Sequence, residues 1–118
     1  MARIDKTQSA IAVTRAPIDA DFAEADWDTL VPVGINANGR VVKGAGQTGV
    51  IGIVIPGKTV YRAGQIADIF GNGSEAVECA DLAAGTAYYS AADGTISTTD
   101  TGTYIGFTVE ADRLVITI

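Results

Sequence analysis

The sequence predicts an all-β fold, a small β-barrel or sandwich of short antiparallel strands with an extended N-terminal arm. Three observations carry that expectation. Ile, Val and Thr together supply 37 of the 118 residues whereas Leu and Met supply 4, and β-branched side chains favour a pleated surface over a helix. Gly is 14 of 118, about twice ordinary usage, and it punctuates short apolar runs. From Leu30 onward those runs recur at intervals of about 8–12 residues, the spacing of a sandwich or small barrel. With 47% hydrophobic and 19% charged residues, the chain is too apolar and too weakly charged to stay disordered. Its length allows a single domain with one core of modest volume.

Residues 1–18 mix small, β-branched and basic residues without a periodicity long enough to bury a face, and they stop at Pro17-Ile18. They are expected to form an extended arm, or else a frayed terminus. The arm carries Arg3, Lys6 and Arg15 against Asp5 alone, whereas residues 19–28 hold Asp19, Asp21, Glu24, Asp26 and Asp28 with no base. Segments of opposite sign side by side form an interaction pattern more than a folding pattern. Phe22 and Trp27, five residues apart, allow one helical turn in the acidic connecting segment.

Residues 29–118 form the expected β domain. Its candidate strands are Val31–Ile35, Arg40–Lys43, Val50–Ile55, Thr59–Tyr61, Gln65–Phe70, Ala76–Cys79, Thr86–Ser90, Thr95–Thr98, Tyr104–Glu110 and Arg113–Ile118. Between them, Asn36-Ala-Asn38-Gly39, Gly71-Asn72-Gly73 and Asp93-Gly94 supply residues suited to tight hairpins. In the last two strands, alternation puts Ile105, Phe107 and Val109 on one face and Leu114, Ile116 and Ile118 on one face, an apolar-lined hairpin that ends the fold inside a sheet. Val50-Ile51-Gly52-Ile53-Val54-Ile55 does not alternate and is apolar on both faces. Two covers would serve it. A neighbouring subunit would make Val50, Gly52 and Val54 subunit-interface residues; a central place in the chain's own fold would bury them internally.

The same sequence disfavours most chemistry. A net charge of −6 and a pI near 4.3 argue against nucleic acid or an anionic membrane as partner, since both attract a basic surface. There is no histidine, which removes Ser-His-Asp and Cys-His nucleophile systems and His-based zinc sites. Cys79, the single cysteine, is in phase with Val77 and reads as a small core residue. Lys6, Lys43 and Lys58 lie in no recognisable motif. Gly44-Ala-Gly46-Gln-Thr-Gly49 has the spacing of a dinucleotide fingerprint, but β-type residues and then Pro56-Gly57 follow it where a phosphate-binding helix is required. Asp19-Ala-Asp21 starts like a calcium loop, but Ala23 and Glu24 stand where an oxygen ligand and the glycine belong. No enzyme activity, cofactor or metal is expected. The N-terminus has no apolar signal-like stretch, and the longest apolar run, Val50–Ile55, is far shorter than a spanning helix, so synthesis in a cytoplasm and a soluble product are expected.

Read as a whole, the second half carries Ala80-Asp-Leu-Ala-Ala-Gly85-Thr-Ala-Tyr-Tyr89, then Asp93-Gly94-Thr-Ile-Ser-Thr-Thr99, then Ile105-Gly106-Phe-Thr108 and Asp112-Arg-Leu-Val-Ile116. This order is similar to a pattern in small capsid decoration and head-fibre proteins of tailed bacteriophages. Ile51-Gly52-Ile53 and Ala63-Gly64-Gln65 upstream fit as well. The resemblance implies a structural virion protein on the outer surface of the head, commonly a trimer, bound to the major capsid protein and stabilising the expanded lattice. It carries no catalytic residue. On that reading Arg3, Ile4, Lys6, Ile11, Val13 and Arg15 are the expected capsid contacts, because an arm without a fold of its own orders on docking. The alternative is a carbohydrate- or host-surface-binding module, which would need an exposed aromatic platform from Tyr88, Tyr89 or Tyr104 with Trp27.

Overall fold

The computed structural model describes residues 3–4, 12–26, 29–55, 61–79, 82–100 and 102–118. Among them the β-rich composition resolves into two antiparallel sheets and one short 3-10 turn, Glu24–Asp26. The strands are β1 (Arg3–Ile4), β2 (Ala12–Pro17), β3 (Val31–Ile35), β4 (Val41–Lys43), β5 (Gly52–Val54), β6 (Ile66–Phe70), β7 (Glu75–Val77), β8 (Ala87–Ser90), β9 (Ile96–Ser97), β10 (Thr103–Thr108) and β11 (Arg113–Ile116). A six-stranded sheet runs β1-β7-β11-β10-β8-β9 and a five-stranded sheet runs β2-β6-β5-β3-β4. The sheets are not closed into a barrel and the arrangement is sandwich-like. The five-stranded sheet curls until Ile18, just past β2, meets Val41 of β4 at a single parallel bridge.

That curl gives the chain two cores. Ile53, Phe70 and Val50 from one face of the five-stranded sheet pack with Ala76, Tyr88, Ile105, Leu114 and Ile116 of the six-stranded sheet. Inside the curl, Ile18, Val31, Val33, Val41, Val54, Ala67 and Ile69 form a second cluster, with Phe22 and Tyr61 against it. The non-alternating run is thereby explained. β5 lies between β3 and β6, with Val50 and Ile53 in the first core and Val54 and Ile51 in or against the second. A strand buried on both faces reads as continuously apolar. The subunit-interface assignment of Val50, Gly52 and Val54 is corrected accordingly: all three are buried inside the single chain. At Gly52 a Cβ would stand 2.5 Å from the Ile69 side chain and 2.7 Å from the Phe70 carbonyl oxygen, so close approach of β6 requires glycine there.

In the expected arm, two described segments form strands and residues 5–11 lie outside the described residues. β1 pairs with β7 (Arg3 opposite Val77, Ile4 opposite Ala76), and β2 pairs with β6 from Ala12 to Pro17. Residues 12–17 are therefore an edge strand and not a strap without a fold. The acidic segment contains the expected short turn, and Phe22 packs edge-on against Tyr61 with ring centroids 5.8 Å apart; Trp27 lies outside the described residues. Turn chemistry matches the sequence. Asn36 Oδ1 accepts the Asn38 and Arg40 amides at 2.9 and 3.0 Å, and Asp93 Oδ1 accepts the Thr95 amide at 2.9 Å, side chains standing in for backbone acceptors.

The last hairpin departs from strict alternation. β10 pairs with both β11 and β8, and its register against β8 shifts between Tyr104 and Gly106. Gly106 has φ 153, and a Cβ on it would lie 2.0 Å from the Val115 carbonyl oxygen. One extra residue in a strand reverses the facing of everything beyond it. Ile105 thus points into the core, while Phe107 and Val109 point outward and Thr108 takes the inner position. The Thr108 hydroxyl donates to the Ala83 carbonyl and accepts the Thr86 amide at 3.0 Å, so its burial leaves no polar atom unpaired. The fold does continue into a sheet at the C-terminal end: β11 lies between β7 and β10, and the Thr117 amide donates to the Ile105 carbonyl at 3.0 Å.

Candidate functional site

Of the expected arm contacts, Lys6 and Ile11 lie outside the described residues. Arg3 and Ile4 are backbone-paired in β1. Arg15 is tied to Asp68 at 2.6 Å across β2 and β6. Val13 sits at the bulge of β2, 50% exposed, beside a shallow groove of about 190 Å³ lined by Ile51, Gly71, Asn72 and Ile118. The described ones lie on the edge strands of two sheets, β1 beside β7 and β2 beside β6.

The candidate catalytic and ligand groups are likewise occupied by structure. Cys79 is buried, its thiol donates to the Ala76 carbonyl at 3.4 Å, and burial pushes its pKa up to about 11, opposite to the shift a nucleophilic thiol needs. In the Gly44–Gly49 loop, the amides of Gly44, Ala45 and Gln47 donate to the carbonyls of Pro32, Ala92 and Ile35, leaving them unavailable to cradle a phosphate. In the acidic segment, Asp21 accepts the Ala63 amide at 2.8 Å and approaches Arg62 at 3.4 Å. Asp26 binds Lys43 at 2.9 Å. Asp21 and Asp26 thus tie this segment to the loop before β6 and to the end of β4.

What the structure does assemble is an apolar outer face on the six-stranded sheet. The bulge in β10 turns Phe107 and Val109 to the same solvent side as Tyr104, the three being 38%, 48% and 38% exposed. Cross-strand neighbours extend the patch: Tyr89 stands opposite Tyr104, and Phe107 lies between Ala87 of β8 and Val115 of β11. Residues paired across a ladder share a face, so Val77, opposite Arg113, belongs to the same surface. Sequence reasoning missed it because alternation assigned Phe107 and Val109 to the core. The available signal was a glycine inside an apolar strand, which marks a bulge.

The aromatic platform of a sugar-binding module is not formed by the described tyrosines. Tyr88 is buried and its hydroxyl accepts the Ala83 amide at 2.7 Å. Tyr89 and Tyr104 meet edge-on, with centroids 5.6 Å apart and planes at 62°, so they present no common flat surface.

No protein-family model and no curated relative matches the sequence. Among solved structures, the chain is similar to one from Mycobacterium phage Patience with a TM-score of 0.84 and 20% sequence identity. The match covers 98% of this chain and 95% of that one. At that identity the likeness establishes a shared fold: the two-sheet sandwich, across essentially its whole length, is an architecture found in a bacteriophage chain.

Proposed function

We propose that the chain is a structural protein of a bacteriophage virion that binds the outer surface of the head, contacts the major capsid protein and stabilises the expanded lattice without catalysis. The observation that carries this reading is the end-to-end likeness to a chain of Mycobacterium phage Patience. The order of turn and strand motifs from Ala80 to Ile116 supports it independently, because that order resembles head decoration proteins. The chemistry is consistent. A ligand that binds an expanded lattice better than a contracted or broken one shifts that equilibrium by its differential affinity, repeated over many sites. Such a role needs surface and stability, and no reactive group. Trimerisation on the head would add effective concentration through several simultaneous contacts.

Co-sedimentation tests this reading. Purified protein is mixed with expanded heads assembled from the major capsid protein of the same genome and lacking this chain, and heads are then challenged with heat. Saturable binding in a fixed ratio to capsid subunits, with a raised disruption temperature, is the expected result. Absence of binding at micromolar protein would overturn it.

A further inference from the structure

The outer face of the six-stranded sheet has two properties that together define a partner. First, it is contiguous and apolar. Tyr104, Phe107 and Val109 follow one another along β10 on the solvent side, with Tyr89, Ala87 and Val115 beside them across the ladders, whereas isolated exposed apolar residues are the ordinary case for a monomer. Nothing in the two cores uses these side chains.

Second, its rim is acidic. Arg113 stands on this face, held by two carboxylates, Glu75 at 3.3 Å and Glu110 at 3.2 Å, and Arg3, opposite Val77, lies at the far β1 edge of the same sheet, away from the Phe107 end. Asp112 follows in the β10–β11 turn, and Asp100 lies in the loop leading into β10. Among the described bases off this face, Arg15, Lys43 and Arg62 are each paired with a carboxylate, Asp68, Asp26 and Asp21. An apolar centre beside a hairpin end that carries more carboxylates than bases repels phosphate-bearing partners and suits an apolar protein surface flanked by positive charge.

We propose that this face, centred on Phe107 and Val109 and bounded by Glu110 and Asp112, is the docking surface for an apolar protein segment flanked by Lys or Arg. Resting on the reading above, that segment belongs to the head shell. The contact thereby moves from the N-terminal residues to the β body.

Two variants test the face. F107E/V109E places charge at its centre, and E110K/D112K reverses the rim at an exposed turn; urea midpoints first establish that both fold like wild type. Affinity for the same expanded heads is measured by co-sedimentation across a salt series. Expected are saturable wild-type binding, a loss of about tenfold or more in F107E/V109E, and a loss of about tenfold in E110K/D112K with the salt dependence weakened or inverted. Wild-type binding that both folded variants retain overturns the surface while leaving head binding intact. Wild-type protein that ignores heads overturns the head-binding reading and the docking assignment together. Retention of wild-type protein on an immobilised oligosaccharide, lost in F107E/V109E, overturns the assignment in favour of a sugar ligand.

Discussion

Cys79 shows how one residue's surroundings decide its chemistry. Its side chain lies in the inter-sheet core, where burial raises the thiol pKa from 9.0 to about 11, with a contribution in the same direction from Asp112 and an opposing backbone hydrogen bond at Leu114. A thiolate is the reactive species, so at about pH 8 a shift of this size lowers the reactive fraction by roughly a hundredfold. Native protein should therefore react with a thiol-specific chromogenic disulfide far more slowly than protein in denaturant, and comparing the two rates checks this; equal rates would mean that the thiol is exposed. The sign of the pH effect follows. The unfolded thiol ionises near 9.0 while the folded one holds its proton to about 11, so this group's contribution to stability is complete below the first value and is lost as pH rises toward the second.

At the scale of elements, the bulge in β10 divides the last hairpin into positions of very different weight. Ile116 is fully buried between the sheets and Val109 is 48% exposed, although strict alternation assigns both to the core. Ile116→Ala should cost about 2–5 kcal/mol through lost burial and a cavity. Val109→Thr should stay within about 0.5 kcal/mol of wild type. Urea unfolding distinguishes the two, and equal costs would place Val109 in the core after all. The same contrast explains what the sequence disclosed. β3 was legible residue for residue at Val31–Ile35, and β6, β8 and β11 to within their ends, because apolar side chains at strand spacing and Asx turns mark them. β2 was not legible: Ala12 to Arg15 are exposed, so the strand shows no buried alternating face and is held to β6 by backbone pairing and the Arg15–Asp68 ion pair. The outward face of β10 was hidden for a related reason. Its phase depends on one extra residue at Gly106, and a pattern of period two has no way to display its own interruption except as a glycine.

For the whole molecule, the two-core arrangement bears on whether folding requires a partner. A chain with one core and a two-faced apolar strand would need a neighbour to cover the second face. Here the curl of the five-stranded sheet supplies the second core, and β5 is enclosed by β3, β6 and the six-stranded sheet without any other copy. Association, including the trimer proposed on the head, is thereby separated from folding. Stability coupled to oligomerisation makes the melting temperature rise with protein concentration, because only the folded state binds its own kind. The isolated protein should instead melt at a temperature independent of concentration over about a hundredfold range, read by circular dichroism at low concentration and calorimetry at high. A melting temperature that climbs with concentration would mean that the fold is completed by a second copy. In that event the apolar face around Phe107 would be the first surface to test for self-association, using the same F107E/V109E variant in sedimentation equilibrium.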